Sequence, residues 1–386
     1  MILRGALVPL FLLILCLVCS STLRAEHPKV KRLVVQGAIY EGDVPVNLGS
    51  GLFVEKSTRK NATLLSVSDV SIDVEGALKG PFIAEIKLNS DGSSVERLFP
   101  IEDPKLDLEG ITARKNGQEI WAADESGPSL VQIERATGHS VKRLIAGEGL
   151  PTYLSHAQAN RGFEGLCATP SGKLVAILQS TLAENRSQKE HSVVTRMLRI
   201  DPEAKRWETF VYLPEIEMYN NSSDVRLSGV TCLSDDQWLV LERGALANGG
   251  YANRVYLVDA QLSKPLKDEE ALEIEDAKNV HDLFRKFNVQ PLVKTLVLNL
   301  RHYGWPFEKS EGIGVSDDFK TLYVSNDPDP EKKEKSEIWR FLFEKPLWTR
   351  PCSINWAFSL IALALMIAGV SLVLLLWSKR VKELNS

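Results

Sequence analysis

Cysteine is scarce in this chain of 386 residues: there are five, and Cys16 and Cys19 lie inside an N-terminal apolar run. Only Cys167, Cys232 and Cys352 remain, too few for a disulfide-dense scaffold. An oxidising compartment permits a Cys167–Cys232 bridge, and two buried free thiols fit the sequence equally well. Histidine is also sparse. His27, His139, His156, His191, His281 and His302 are scattered and form no close-spaced metal pair. The chain has no Gly-x-Ser-x-Gly nucleophile elbow, no phosphate-binding loop and no dinucleotide fingerprint. Positive charge is in deficit. The formal net charge is −4, yet the first 25 residues and the tail from Ser353 each carry +2, so the stretch between them carries −8. That balance argues against a nucleic-acid surface. Aromatic and β-branched residues occur throughout, which excludes a disordered chain.

The long apolar runs are confined to the two ends. Residues 1–25 hold a basic residue (Arg4), a run of about a dozen apolar residues and then small residues, the pattern of a secretory signal. Residues 354–377 form a longer uncharged run with Trp356 and Trp377 at its ends, followed by Lys379-Arg380-Val381-Lys382. Its length suits a tilted transmembrane helix, and the basic flank predicts that residues 378–386 are a cytoplasmic tail. The expected arrangement is single-pass type I, with the helix as the membrane partner. The main domain, residues 26–350, then lies outside the cytoplasm, whether periplasmic, lumenal or extracellular.

Within that domain, short strand-like runs alternate with Gly, Asp, Asn, Ser and Pro, and only about Lys267–Phe287 looks helical. A recurrence is more informative. Gly49-Ser50-Gly51-Leu52, Leu108-Glu109-Gly110-Ile111, Phe163-Glu164-Gly165-Leu166, Leu227-Ser228-Gly229-Val230 and Ser310-Glu311-Gly312-Ile313 each precede a turn and an apolar strand. Four of those strands end in an acid, and the third ends in Gln179-Ser180. A hairpin with one apolar face cannot bury itself alone, whereas several arranged radially can. The expected fold is all-β, a β-propeller of five to seven blades with one helical insertion and a C-terminal transmembrane helix. A Greek-key sandwich is the alternative, but it leaves the recurrence unexplained.

Innermost propeller strands carry equivalent positions to a common axis, so Glu109, Glu164 and Glu311 are expected to converge, with Ser50 and Ser228 in the remaining places. Converging carboxylates repel unless their pKa values rise, an arginine pairs with them, or a hard cation binds. Calcium, with its six to eight oxygen ligands, suits such a ring. Asp69, Asp124, Glu125, Glu242 and Asp327, at the strand ends, are the candidate additional ligands, and Arg243 the candidate internal cation. The competing reading is that each Glu-Gly caps a turn and bonds backbone N–H groups.

Glu109-Gly110-Ile111 with Trp121-Ala122-Ala123-Asp124-Glu125-Ser126-Gly127-Pro128-Ser129 resembles a stretch of the phytase-like family, named for the esterase-like activity of phytase. Gly162–Leu166, Leu239–Arg243, Lys294–Leu298 and Glu311 through Asp327 follow in that family's order. The resemblance covers most of residues 45–345. It implies a propeller-like, commonly secreted domain and points to phosphoester hydrolysis. By that analogy calcium bridges acids and substrate phosphates, Glu109, Glu164 and Glu311 act as metal-binding or water-activating catalytic groups, and Arg243 contacts the phosphate. The chain departs from a phytase in lacking the Arg-His-Gly pattern of histidine acid phosphatases. Its acidity also opposes a polyanion unless metal reverses the local sign. The expected function is a membrane-tethered, calcium-dependent phosphoesterase acting on a small phosphorylated substrate. The rival is a non-catalytic propeller that binds a protein partner at the membrane surface.

Overall fold

The structure is a computed structural model that describes residues 27–349, apart from 36–38, 41–43, 46–47, 69–80, 91, 115–116, 183–187, 189–191, 221–223, 278, 329–331 and 333. Strand β1 (Lys29–Val34) opens the described chain, and β2 (Ile39–Tyr40) and β3 (Val44–Pro45) form a small ribbon. The first blade is β4 (Gly51–Ser57), β5 (Ala62–Ser68), β6 (Phe82–Leu88) and β7 (Ser93–Pro100). The second is β8 (Leu108–Arg114), β9 (Glu119–Asp124), β10 (Ser129–Glu134) and β11 (Ser140–Ala146), extended by the short parallel β12 (Gly149–Leu150). The third is β13 (Phe163–Ala168), β14 (Leu174–Leu178), β15 (Thr195–Asp201) and β16 (Arg206–Tyr212). The fourth is β17 (Arg226–Cys232), β18 (Gln237–Ala245), β19 (Tyr251–Asp259) and β20 (Val293–Asn299). The fifth is β21 (Ile313–Val315), β22 (Thr321–Ser325) and β23 (Glu337–Leu342), completed by β1 in register from Lys29↔Leu342 to Val34↔Glu337. The fold is thus a five-bladed β-propeller, at the lower end of the expected range, closed by pairing the chain's first described strand with its last.

Blade packing explains the sequence patterns. The second strand of each blade is sandwiched between neighbours, so β14 (Leu-Val-Ala-Ile-Leu) is buried along its whole length and reads as a continuous apolar run. Outer strands face water and carry bases, as in β1 and β11, which discourages edge pairing with another chain. Five apolar clusters fill the five gaps between blades. Val67 and Ile83 meet Ile111 and Ile120; Trp121 meets Phe163 and Leu174; Ile177 and Phe210 meet Val230 and Trp238. Leu241 and Val255 meet Leu322 and Trp339, and Tyr323 and Ile338 meet Leu52 and Phe82, which returns the ring to its start.

The recurrent glycine lies where the inner strands come closest. A Cβ on Gly51 would stand 2.6 Å from the Glu109 carbonyl oxygen, one on Gly110 2.7 Å from the Leu166 nitrogen, and one on Gly165 2.8 Å from the Val230 nitrogen. Gly229 abuts the Glu311 carbonyl oxygen, and Gly312 faces Leu52. Each motif therefore touches the motif of the next blade, all the way round. In the second, third and fourth blades the pairing register shifts across the residue before the glycine, so Glu109, Glu164 and Ser228 are the extra residues of β-bulges. A bulge re-aims the side chain it frees.

The expected helical insertion resolves into short turns, Glu270–Glu273, Ile274–Asp276 and Val280–Arg285. They cap the outer edge of the third blade. Leu266 and Leu292 donate backbone hydrogen bonds to Thr209 and Val211 of β16, and the buried Glu275 pairs with the fully buried Arg196 of β15. The insertion is thus an edge cover for that blade. Cys167 of β13 and Cys232 of β17 form a disulfide, which decides between the two states the sequence left open. Among the described residues no helix is long and apolar enough to cross a membrane. The expected signal 1–25, span 354–377 and tail 378–386 all lie outside the described residues.

Gly110→Ala is expected to lower stability by about 1–3 kcal/mol through overpacking, read as a reduced denaturation midpoint. Gly127→Ala, where a Cβ would meet nothing within 4 Å, should leave the midpoint unchanged. Equal midpoints for both variants would contradict the close-approach account.

Candidate functional site

In an antiparallel blade the first strand begins where the second ends, so both sets of termini gather at one end of the axis. A cavity of about 450 Å³ opens there. Glu109, Glu164 and Glu311, the residues before the motif glycine, line it. A second set comes from the second strands. Gly110, Gly165 and Gly229 pair with Ala123, Ile177 and Leu241, and the residues two places further on are Glu125, Gln179 and Arg243. All three line the cavity, together with Asp327 of the fifth blade. A third set lies two or three residues before the motif acid or serine: Arg161, Arg226, Glu308 and Lys309. Asn160, Asp224 and Tyr251 complete the polar wall.

Among the described residues, seven carboxyls and four cations line this cavity. Arg243 takes up Glu311 in a two-point pair, Nη2 to Oε1 at 2.5 Å and Nε to Oε2 at 3.2 Å. Lys309 pairs with Asp327. The Gln179 amide donates to Glu125 Oε1 at 2.8 Å, while its oxygen accepts from both Arg161 and Arg226, the latter at 3.2 Å. Glu164 is 2% exposed, and no hydrogen bond or ion pair to its carboxyl exists among the described residues. Burial, then the charges of Glu311 and Glu125, push its pKa well above the usual carboxylate range. Burial and Asp107 push Glu125 up to about 7. Burial also raises Glu311, against the opposing pull of Arg243. It lowers Arg161, and with Arg161 and Arg243 nearby it lowers Arg226 to about 10.

Asp107, Glu109 and Glu125 each offer an oxygen within 4.8 Å of the others, all on half-buried residues. Oxygens sharing one calcium ion lie at most about 5 Å apart. Burial and then the charge of Asp124 raise the pKa of Asp107 as well, as expected of a carboxyl crowded by like charge. This all-oxygen donor set fits a hard divalent cation.

Two of the other candidate ligands, Asp124 and Glu242, sit in buried networks. Asp124 is fully buried and accepts from the Asp107 and Ser126 N–H groups, the Ser126 and Ser129 hydroxyls and Arg143 Nη2, which fixes the turn after β9. Glu242 is likewise fully buried, bonded to the Tyr212 and Tyr219 hydroxyls, the Glu215 N–H and Lys294 Nζ at 2.7–3.1 Å. Side-chain alternation explains both cases, because Asp124 and Glu242 precede the cavity-lining Glu125 and Arg243 and so point the other way. Asp69 lies outside the described residues. Sequence reasoning missed Asp107, Arg161, Gln179, Arg226 and Lys309. The signal was present, since Asp107, Arg226 and Lys309 each stand two residues before the motif acid or serine.

The family model described as "Phytase-like: Esterase-like activity of phytase" matches residues 56–329. A comparison with curated proteins gave no match. Among solved structures, a hypothetical protein from Leishmania major aligns at 9% identity and a TM-score of 0.40, covering 83% of this chain and 91% of its own. The hydrazine synthase of Kuenenia stuttgartiensis aligns at 13% identity and a TM-score of 0.34, covering 76% and 96%. A Bacteroides caccae protein of unknown function aligns at 11% identity and a TM-score of 0.34, covering 70% and 83%.

The raised Glu125 pKa predicts a pH dependence of stability. Its folded pKa of about 7 lies above the ordinary 4.5, so its contribution is full below about pH 4.5 and is lost as pH rises through 7. Glu125→Gln should therefore gain stability relative to wild type between those limits, measured by urea unfolding in chelator at pH 4.5 and pH 8. A constant difference between the two proteins across that range would refute the assignment.

Proposed function

The chain belongs to the phytase-like family, and on that premise we propose that its axial cavity binds and hydrolyses a phosphate monoester with the help of a calcium ion. The observation that carries this reading is a cavity of two signs, lined by Glu109 and Glu125 of the Asp107–Glu109–Glu125 cluster and by the guanidinium groups of Arg161, Arg226 and Arg243. A phosphate bound beside a cation satisfies both signs at once, which neither ion does alone. Asp107, Glu109 and Glu125 would hold the ion. Once bound, calcium would polarise the phosphoryl group and offset substrate charge. Glu164 is the carboxyl suited to passing a proton to a leaving oxygen, because its burial favours the acid form and no ion pair ties it down. Glu311, locked to Arg243, is suited to holding that arginine in place.

The locked Arg243–Glu311 pair also favours a second reading, a cavity that binds an anionic ligand without turnover. In either case we read residues 1–25 as a secretory signal and residues 354–377 as a membrane tether, with the propeller outside the cytoplasm. The Cys167–Cys232 disulfide supports an oxidising compartment.

The purified protein should hydrolyse phosphomonoesters or phytate with calcium present and lose that activity in chelator. Glu109→Gln and Glu164→Gln should each lower kcat by about 100-fold or more. Absence of turnover, together with a melting temperature that calcium does not move, would sink the metal-enzyme reading.

A further inference from the structure

We propose that Arg161 and Arg226, gathered on the side-chain oxygen of Gln179, form the clamp for the terminal phosphoryl group of a phosphate monoester. This deepens the reading above and rests on it, and it moves the phosphate contact away from Arg243. Of the four cations that line the cavity among the described residues, Arg243 is taken by Glu311 and Lys309 by Asp327. Arg161 and Arg226 have no ion pair among the described residues, and both donate to one neutral oxygen. The Gln179 amide nitrogen is committed to Glu125 at 2.8 Å, which fixes the carboxamide with its oxygen toward the two guanidiniums.

Two half-buried guanidiniums side by side repel each other; the carboxyls of Glu125, Glu164, Asp224 and Glu311 act on them without direct contact, and the group that both touch is a neutral amide oxygen. Burial already weakens both as bases, the state that an incoming anion relieves. The ligand class follows from charge and shape. Two planar forks match an oxyanion with several free oxygens and two negative charges. A terminal phosphoryl group has three such oxygens, whereas a diester has two and a single charge. The unpartnered Glu164, 2% exposed, lines the same cavity. Its acid form offers an O–H to a phosphoryl oxygen where a carboxylate would repel it. At the position of Gln179 the first, second and fifth repeats carry Asp69, Glu125 and Asp327 and the fourth carries Arg243; an acid at 179 would fill the clamp from within.

Calorimetric titration of the full chain with inorganic phosphate, in calcium and in chelator, tests the clamp. Arg161→Met and Arg226→Met should each weaken phosphate binding about 10- to 100-fold. Gln179→Glu, which supplies an internal anion, should abolish binding while retaining a cooperative melt, so the test stands even if a Met variant misfolds. Sulfate should compete with phosphate, and dimethyl phosphate and acetate should not. Failure of the full chain to bind phosphate, or equal binding by wild type and all three variants, would overturn the clamp. Clamp-dependent binding without turnover upholds the clamp while the hydrolytic reading falls. Turnover with KM unchanged in Arg161→Met and Arg226→Met overturns the clamp while hydrolysis stands.

Discussion

The close approach of five inner strands around one axis is the constraint on which the rest of this structure depends. Each motif glycine stands against backbone or Cβ atoms of the next blade at a distance that admits no side chain. With the ring drawn that tight, the blades meet face to face and their second strands are buried on both sides. The five apolar clusters then run continuously from blade to blade. Closure by β1 needs only an ordinary antiparallel pairing, because the other four interfaces have already set the curvature.

The same tightness creates the site. In the second and third blades the residue before the glycine is displaced as a bulge, and those residues, Glu109 and Glu164, line the axial cavity. Carboxyls from different blades thereby come closer than their charges favour. The structure compensates in two ways: Arg243 and Lys309 neutralise Glu311 and Asp327, and burial favours the acid form of Glu164. Beside these pairs stand an acidic corner at Asp107, Glu109 and Glu125 and a basic corner at Arg161 and Arg226. Gln179 joins them, donating to one and accepting from the other.

Much of this was legible in the residues. The recurrence of a small or acidic residue, glycine and an aliphatic residue marks all five inner strands and places Glu109, Glu164 and Glu311 at equivalent positions. Some outer strands were harder to read, because β7 and β11 face water on much of their surface and lack a clean apolar period. The strand-end acids were sorted only in part. Asp124-Glu125 and Glu242-Arg243 are adjacent pairs, and composition alone does not say which member faces the axis. The cations Arg161 and Arg226 belong to no motif by residue type. They become significant through their place before the inner strands, where Gln179 gathers them.

By itself, the sequence determined the propeller class, the repeat and the convergence of three glutamates, because those follow from local periodicity and from glycines that only close backbone approach requires. It also set the excess of acid over base between the two apolar ends. Only the tertiary structure decided that there are five blades, that Cys167 and Cys232 are joined, and that Asp124 and Glu242 serve buried networks. It alone decided which cations are already paired. These outcomes depend on which groups from distant segments lie within a few ångströms of one another. That distance is set by how the blades pack, and no stretch of sequence carries it.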